Sequence, residues 1–245
     1  MFRKNKFTKT PLVKIKITGN IFYEYGFFKM TQIYFNEQKH SISTKYVFPI
    51  PADSIIKDIT IFKKNKKIIG AKILEKNEIK DVKVSLKYRK IKAIIKYISK
   101  DICSLTIDEI SSKNGIKVSV EYYKELFLKE NKSKIEIPLT LFNKDLYENN
   151  NVTENDSLSK TNYLLDLNLE VNNVLEIFNV YSPSHDILFE RFKTYSLITF
   201  EKKDVSNFKD IEIMITYKEN KINKAINVKN SDFGIAYCSV YPNIQ

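Results

Sequence analysis

Residues 32–53 read QIYFNEQKHSISTKYVFPIPAD, and the folding of this stretch decides how the rest of the chain is laid out. Ile33 and Phe35 alternate with Gln32 and Tyr34, the period of an extended strand with two unlike faces. Asn36 to His40 break the pattern as a polar connection. Thr44, Tyr46 and Phe48 then alternate with Lys45 and Val47 as a second strand. Pro49 holds Phe48 extended and brings no N–H to a sheet, and Pro51 does the same to Ile50. The stretch predicts a β-hairpin that ends in a hard stop, with Phe48 anchored against a core.

Working outward, the same two-residue period recurs. Towards the N-terminus Val13, Ile15 and Ile17 alternate with Lys14, Lys16 and Thr18. Gly19-Asn20 predicts a turn and Gly26 a bulge in the β-rich segment after it. Towards the C-terminus, Ile55 to Phe62 and Ile68 to Leu74 flank a lysine-rich turn. Residues 75–90 fit either a helix or a strand. Ile94 to Ile98, then Cys103, Leu105 and Ile107, read as strands. Asn114-Gly115 offers a turn with positive φ, and Ile116, Val118, Val120 and Tyr122 alternate after it. From Asn143 to Thr161 the sequence turns polar. Strands resume with Tyr163 to Val171, Val174 to Val180, Leu197 to Phe200, Ile211 to Tyr217 and Phe233 to Tyr241. Short strands separated by turns about every 8–12 residues predict an all-β protein, a β-sandwich. The expected layout is a sandwich over 1–145, a polar linker or long loop over 146–161, and a second, smaller β unit over 162–245. That unit packs on the first or finishes its sheet.

Composition narrows the function. Among 245 residues there are only five Gly, and no glycine-rich phosphate loop is present. The formal charge of +12 opens a second class, a lysine-rich binder of nucleic acid or anionic surfaces. Of the 41 basic residues, however, only Arg3, Arg89 and Arg191 are arginine, the residue that reads bases and phosphates bidentately. Lys63, Lys64, Lys66 and Lys67 fit a solvated turn, so nucleic acid ranks below protein as a partner. Cys103 and Cys238 make no disulfide framework and are expected as free thiols. No apolar run reaches the about 18 residues of a membrane span, and the basic start MFRKNKFTKT is not followed by a signal-peptide core. A soluble, cytoplasmic protein is the expectation.

Little catalytic chemistry is on offer. The chain has two histidines, His40 and His185, and neither has a His or Cys neighbour at zinc spacing, so neither metal nor cofactor is expected. Ser184-His185-Asp186 suggests a triad, but adjacent residues on an extended chain point to opposite faces and cannot relay protons to one another. The expectation for Pro183 and His185 is a turn between strands, with the imidazole bonded to backbone. His40 is expected in solvent. The aromatic residues Tyr34, Tyr46, Phe48 and Tyr122 alternate with other side chains and read as core packing.

Phe35-Asn36, followed by Tyr46-Val47-Phe48-Pro49-Ile50-Pro51-Ala52-Asp53-Ser54, resembles the VIT domain, the module shared by vault proteins and inter-alpha-trypsin inhibitor heavy chains. Val118 to Tyr122 with Leu126, and Ile135-Glu136-Ile137-Pro138-Leu139, resemble later strands of that family. The resemblance runs from about Pro11 to Phe142. Glu75-Lys76 fits a helical pattern of the family, whereas Ile79 and Val82 replace its small and aromatic residues. Tyr181-Ser182-Pro183-Ser184-His185 is similar to a run that precedes a von Willebrand A domain in longer members, and no Asp-x-Ser-x-Ser metal motif of such a domain comes after it.

The resemblance implies a non-catalytic protein–protein interaction or scaffold module with a VIT-like sandwich. Tyr46, Phe48, Pro49 and Pro51 form its structural motif. The terminal strand is expected at a sheet edge, where unpaired backbone groups invite another chain. That places Tyr237, Tyr241 and Pro242 at a contact, with His185 and residues 184–190 as a second surface. The partner expected is an A-domain protein or the chain itself.

Overall fold

The computed structural model describes residues 12–22, 24–49, 51, 54–63, 66–71, 82–84, 93–99, 102–126, 128–129, 131–139, 163–173, 175–205, 209–218, 226–230 and 235–239, with the backbone alone at 43–48, 66–71, 82–84, 93–99, 102–109, 128, 204–205, 226–230 and 235–239. Every regular element among them is a strand. In chain order they are β1 (Leu12–Phe22), β2 (Tyr25–Phe35), β3 (Ile42–Pro49), β4 (Ser54–Lys63), β5 (Lys66–Ala71), β6 (Val82–Val84), β7 (Ala93–Ser99), β8 (Ile102–Ile110) and β9 (Gly115–Glu125). The remaining strands are β10 (Leu128–Lys129), β11 (Lys132–Ile137), β12 (Tyr163–Asn172), β13 (Ile177–Tyr181), β14 (Leu188–Arg191), β15 (Tyr195–Val205), β16 (Ile211–Tyr217), β17 (Ile226–Asn230) and β18 (Ile235–Ser239). The protein is all-β, as its alternation predicts.

The largest sheet has eight strands in the order β14-β15-β12-β1-β2-β9-β4-β5. Its one parallel pair is β1 with β12, in the register Ile15↔Leu165, Ile17↔Leu167 and Ile21↔Val171. Apolar residues therefore line up in rows across six strands. One row runs Phe200, Leu167, Ile17, Met30, Val120, Ile59. The next runs Ile198, Leu169, Gly19, Phe28, Tyr122, Ile56. These side chains are buried. A second sheet, β10-β11-β16-β13, adds Ile135, Ile137, Ile211, Ile213 and Ile215 to the same core. Residues on both sides of 140–162 thus share two sheets and one core, while the expected linker lies outside the described residues.

Two glycines correct the sequence reading. β1 continues through Gly19-Asn20 to Phe22, so the expected turn is strand. Gly26 pairs with Ile21 and Lys124 with no register shift, so there is no bulge. Both serve close packing. A Cβ on Gly26 would lie 2.3 Å from Cε2 of Phe28, and one on Gly19 would meet Leu169 Cδ2 at 2.9 Å and Phe28 Cδ1 at 3.0 Å. The Phe28 ring occupies the room that the missing side chains leave, and it stacks on Tyr122 at 5.3 Å.

The opening stretch folds otherwise than expected. β2 and β3 do not pair with each other. β2 pairs with β9 in the large sheet, and β3 pairs with β8 in a third sheet ordered β3-β8-β7-β6. Segments 25–49 and 102–125 are thus one long two-stranded ribbon that passes between sheets at a corner, 36–41 against 111–114. Asn36 holds the corner from a fully buried position. Its Nδ2 lies within hydrogen-bond distance of the carbonyls of Ile110 (2.9 Å), His40 (3.0 Å) and Ser111 (3.2 Å). Its Oδ1 accepts from Gln38 N, and its own N–H donates to Asn114 O. Four polar contacts from the side chain explain why a buried amide is tolerated here. Positive φ falls on Lys113 (52°), one residue before the expected Asn114-Gly115. Lys113 Nζ and Ser112 Oγ then bind the carbonyls of Glu37 and Gln38.

Pro49 ends β3 opposite Ile102, and Pro51 is buried. The Pro51 carbonyl accepts from both Oγ (2.6 Å) and N (3.2 Å) of Ser54, which starts β4 back in the large sheet. The Pro-x-Pro stop is therefore a second corner. Tyr46 stands opposite Leu105 and Phe48 opposite Cys103, but their side chains lie outside the described residues. Within 75–90 the described part, β6, is strand.

Candidate interaction edge

Two strands from different sheets meet at one margin of the sandwich. β13 is the last strand of the second sheet and β14 the last of the large one. The chain passes between them through residues 182–187. The β13–β16 ladder ends with Tyr181 opposite Met214. Two places further, Pro183 would stand opposite Glu212, and proline has no N–H to continue the ladder. Two serine hydroxyls substitute. Ser182 Oγ donates to the Glu212 carbonyl, and Ser184 Oγ accepts from Glu212 N at 2.8 Å. Ser182 Oγ also accepts from the amides of Ser184 (3.3 Å) and His185 (3.1 Å), which bends the chain.

The bend corrects the expectation for His185. Its Nδ1 lies 2.8 Å from Ser184 Oγ, so the adjacent pair that an extended chain would separate is hydrogen-bonded, and the partner is a side chain rather than backbone. The ring also stacks on Phe200 of β15, 4.9 Å between centroids and 19° between planes. Burial lowers its pKa from the ordinary 6.5, with Lys209 and Lys202 adding to the effect and Asp186 opposing it. Both serine hydroxyls are engaged in closing the bend. His40 is exposed at the Asn36 corner.

Around this crossover four large apolar side chains reach the surface. Phe178 (64 %) and Tyr181 (49 %) on β13, Leu188 (68 %) on β14 and Phe192 (44 %) just after it are exposed. Tyr181 and Leu188 flank the crossover. At the other end, Arg191 Nη2 donates to the Phe178 carbonyl at 3.0 Å, joining β14 to β13. Arg191 also lies over the Phe189 ring, and Phe192 stacks on Tyr195 at 4.7 Å. Sequence reading missed Phe178, Tyr181 and Phe192 as surface residues, although a signal was present. Ile177, Phe178, Val180 and Tyr181 put apolar groups on both faces of one strand, which a one-sided strand does not need.

The other candidate residues are scattered. Tyr237 is in β18 opposite Val228 of β17, and these two strands form a separate two-stranded sheet among the described residues. Its side chain, and the whole of Tyr241 and Pro242, lie outside the described residues. Several lysines are tied down: Lys14 to Asp166, Lys29 to Glu121 and Lys134 to Glu136, with Lys57 and Lys117 over the rings of Phe27 and Phe62. No helix among the described residues is long and apolar enough to cross a membrane.

The corners at Asn36 and Pro51 bracket β3, the strand that carries the Tyr-Val-Phe-Pro motif. The sequence model of the Vault protein inter-alpha-trypsin domain family matches residues 12–122, the segment built around those corners. Residues 12–122 are a VIT domain. This VIT domain supplies β1, β2, β4, β5 and most of β9 to the large sheet and all of the β3-β8-β7-β6 sheet. The candidate edge is contributed by residues beyond it. No curated protein matches the chain. The crystal structure of a Legionella pneumophila protein, described as a candidate nutrient binding protein, is similar in fold. It is 8% identical with a TM-score of 0.50, covering 84% of this chain and 67% of that one. The likeness therefore extends beyond the VIT domain, which is less than half of the chain.

Proposed function

We propose that this chain is a non-catalytic protein–protein interaction module of the VIT type, which docks a protein partner at the β13–β14 edge. The observation that carries the reading is the exposure of Phe178, Tyr181 and Leu188 on two neighbouring edge strands and of Phe192 just after the second. Exposed apolar groups on strands that end their sheets among the described residues favour a protein surface or an added strand. The VIT family assignment and the neighbour's description as a binding protein agree with a binding role. The test is Leu188→Lys combined with Phe178→Lys, with size measured by analytical ultracentrifugation and partner capture by pull-down. Capture or self-association lost in a folded variant supports the edge. Capture undiminished overturns it.

The terminal strand is a second site for the same function. β18 pairs with β17 alone among the described residues, which leaves one side of it without a described neighbour. Truncation after Asp232 separates the two. If the truncated chain stays folded and loses capture, the contact lies at Tyr237, Tyr241 and Pro242. If capture persists, it does not.

A further inference from the structure

The crossover that joins the two edge strands carries a titratable ring at its tightest point. Ser184 is held to β16 through Glu212, His185 is held to Ser184, and the imidazole lies on Phe200 of β15. One ring thus ties the two sheets together where the docking edge begins. We propose that His185 is a proton-operated latch, closed while the imidazole is neutral, whose protonation loosens residues 182–187 and with them the β13–β14 edge. The consequence for docking rests on the proposed function; the latch itself does not.

The direction follows with Ser184 Oγ as the donor to Nδ1. Ser184 Oγ accepts the Glu212 amide, so its own hydrogen is free to point at Nδ1, 2.8 Å away. A protonated imidazole turns Nδ1 into a donor. The Ser184 hydrogen must then find another acceptor. The Glu212 carbonyl can accept a second hydrogen bond but lies 3.4 Å off, against 2.8 Å for the bond that is lost. Ser182 Oγ, 3.1 Å away, already accepts two backbone amides. The charged groups that face the ring add to this. Lys202 on β15 and Lys209 before β16 repel a positive imidazole, Asp186 on the crossover opposes them, and the Glu212 carboxylate is directed to Lys134 at 3.4 Å.

Burial and the two lysines lower the folded-state pKa below the ordinary 6.5. An opened crossover would bind the proton more readily than the closed one. The stabilisation is fully present above 6.5 and is lost as pH falls from there towards the lowered value. Over that window the opening constant rises by up to about tenfold per pH unit.

Amide hydrogen exchange tests this on the full chain without any partner. Protection of residues 177–192, corrected for the intrinsic pH dependence of exchange, is compared at about pH 7.5 and about pH 5.5. The wild type should open up to about tenfold more per pH unit at the lower pH. His185→Phe keeps a ring on Phe200 and cannot titrate, so its protection should not change with pH, and His185→Gln should behave likewise. The imidazole resonance should titrate with a midpoint below 6.5. Equal protection of the wild type at both pH values overturns the latch, as does the same acid loss in His185→Phe. Neither result touches the docking reading, which stands or falls with the Leu188 and Phe178 substitutions.

Discussion

The chain passes between sheets at two contrasting places. At the Asn36 corner the VIT domain satisfies its turning backbone with one buried amide and ties the flanking loops down with Lys113 and Ser112. At the 182–187 crossover the work is divided between two serines and a half-buried imidazole, and the surroundings are exposed aromatic and aliphatic side chains. The first is a closed joint, built around a fully buried side chain. The second, among the described residues, leaves two strand edges and four large apolar side chains exposed. A corner that serves only the fold can be buried. A margin proposed to accept a partner keeps its hydrogen bonds internal and its apolar groups outside.

The contrast can be broken most sharply at Asn36. Asn36→Leu leaves the carbonyls of Ile110, Ser111 and His40 short of a donor in a buried site, and should cost about 3 kcal/mol in urea unfolding. An unchanged midpoint would mean that solvent reaches the corner. Gly26→Ala, beneath Phe28, should cost about 2 kcal/mol through overpacking. Adding Phe28→Leu should recover part of that loss, and strict additivity of the two would remove the packing argument. Ser184→Ala deprives the Glu212 amide of its acceptor at a partly exposed site and should cost only about 1 kcal/mol. If it cost as much as Asn36→Leu, the crossover would be a closed joint too. Leu188→Lys should change stability by no more than about 0.5 kcal/mol, because the side chain is exposed. Its effect is expected in partner capture, and a large loss of stability instead would make the patch part of the core.

Much of the fold was legible. The buried alternation of Tyr163, Leu165, Leu167, Leu169 and Val171 matches the sequence pattern residue for residue, as does that of Ile211, Ile213, Ile215 and Tyr217. The VIT resemblance around Phe35-Asn36 and Phe48-Pro49 lies within the matched segment. The candidate edge was legible only in part. Residues 184–190 were singled out, but Phe178, Tyr181 and Phe192 were not, because one strand with apolar residues on both faces looks the same whether its second face is covered or bare.

What the sequence determined by itself is the class and the strands. A period of two states which side chains share a face, and proline states where a ladder cannot continue. What only the tertiary structure decided is who neighbours whom. β2 and β3 read as a hairpin because they are adjacent in sequence, yet both pair with the distant 102–125 segment, and β1 takes β12 as a parallel partner about 150 residues away. Gly19 and Gly26 read as a turn and a bulge, yet they make room for Phe28, a contact that no local pattern records. Ser184 and His185 read as pointing apart, yet Pro183 stops the ladder, Ser182 bends the chain, and the two side chains meet. Periodicity fixes a side chain's face within its own strand. Pairing and bends depend on surfaces brought together from elsewhere in the chain.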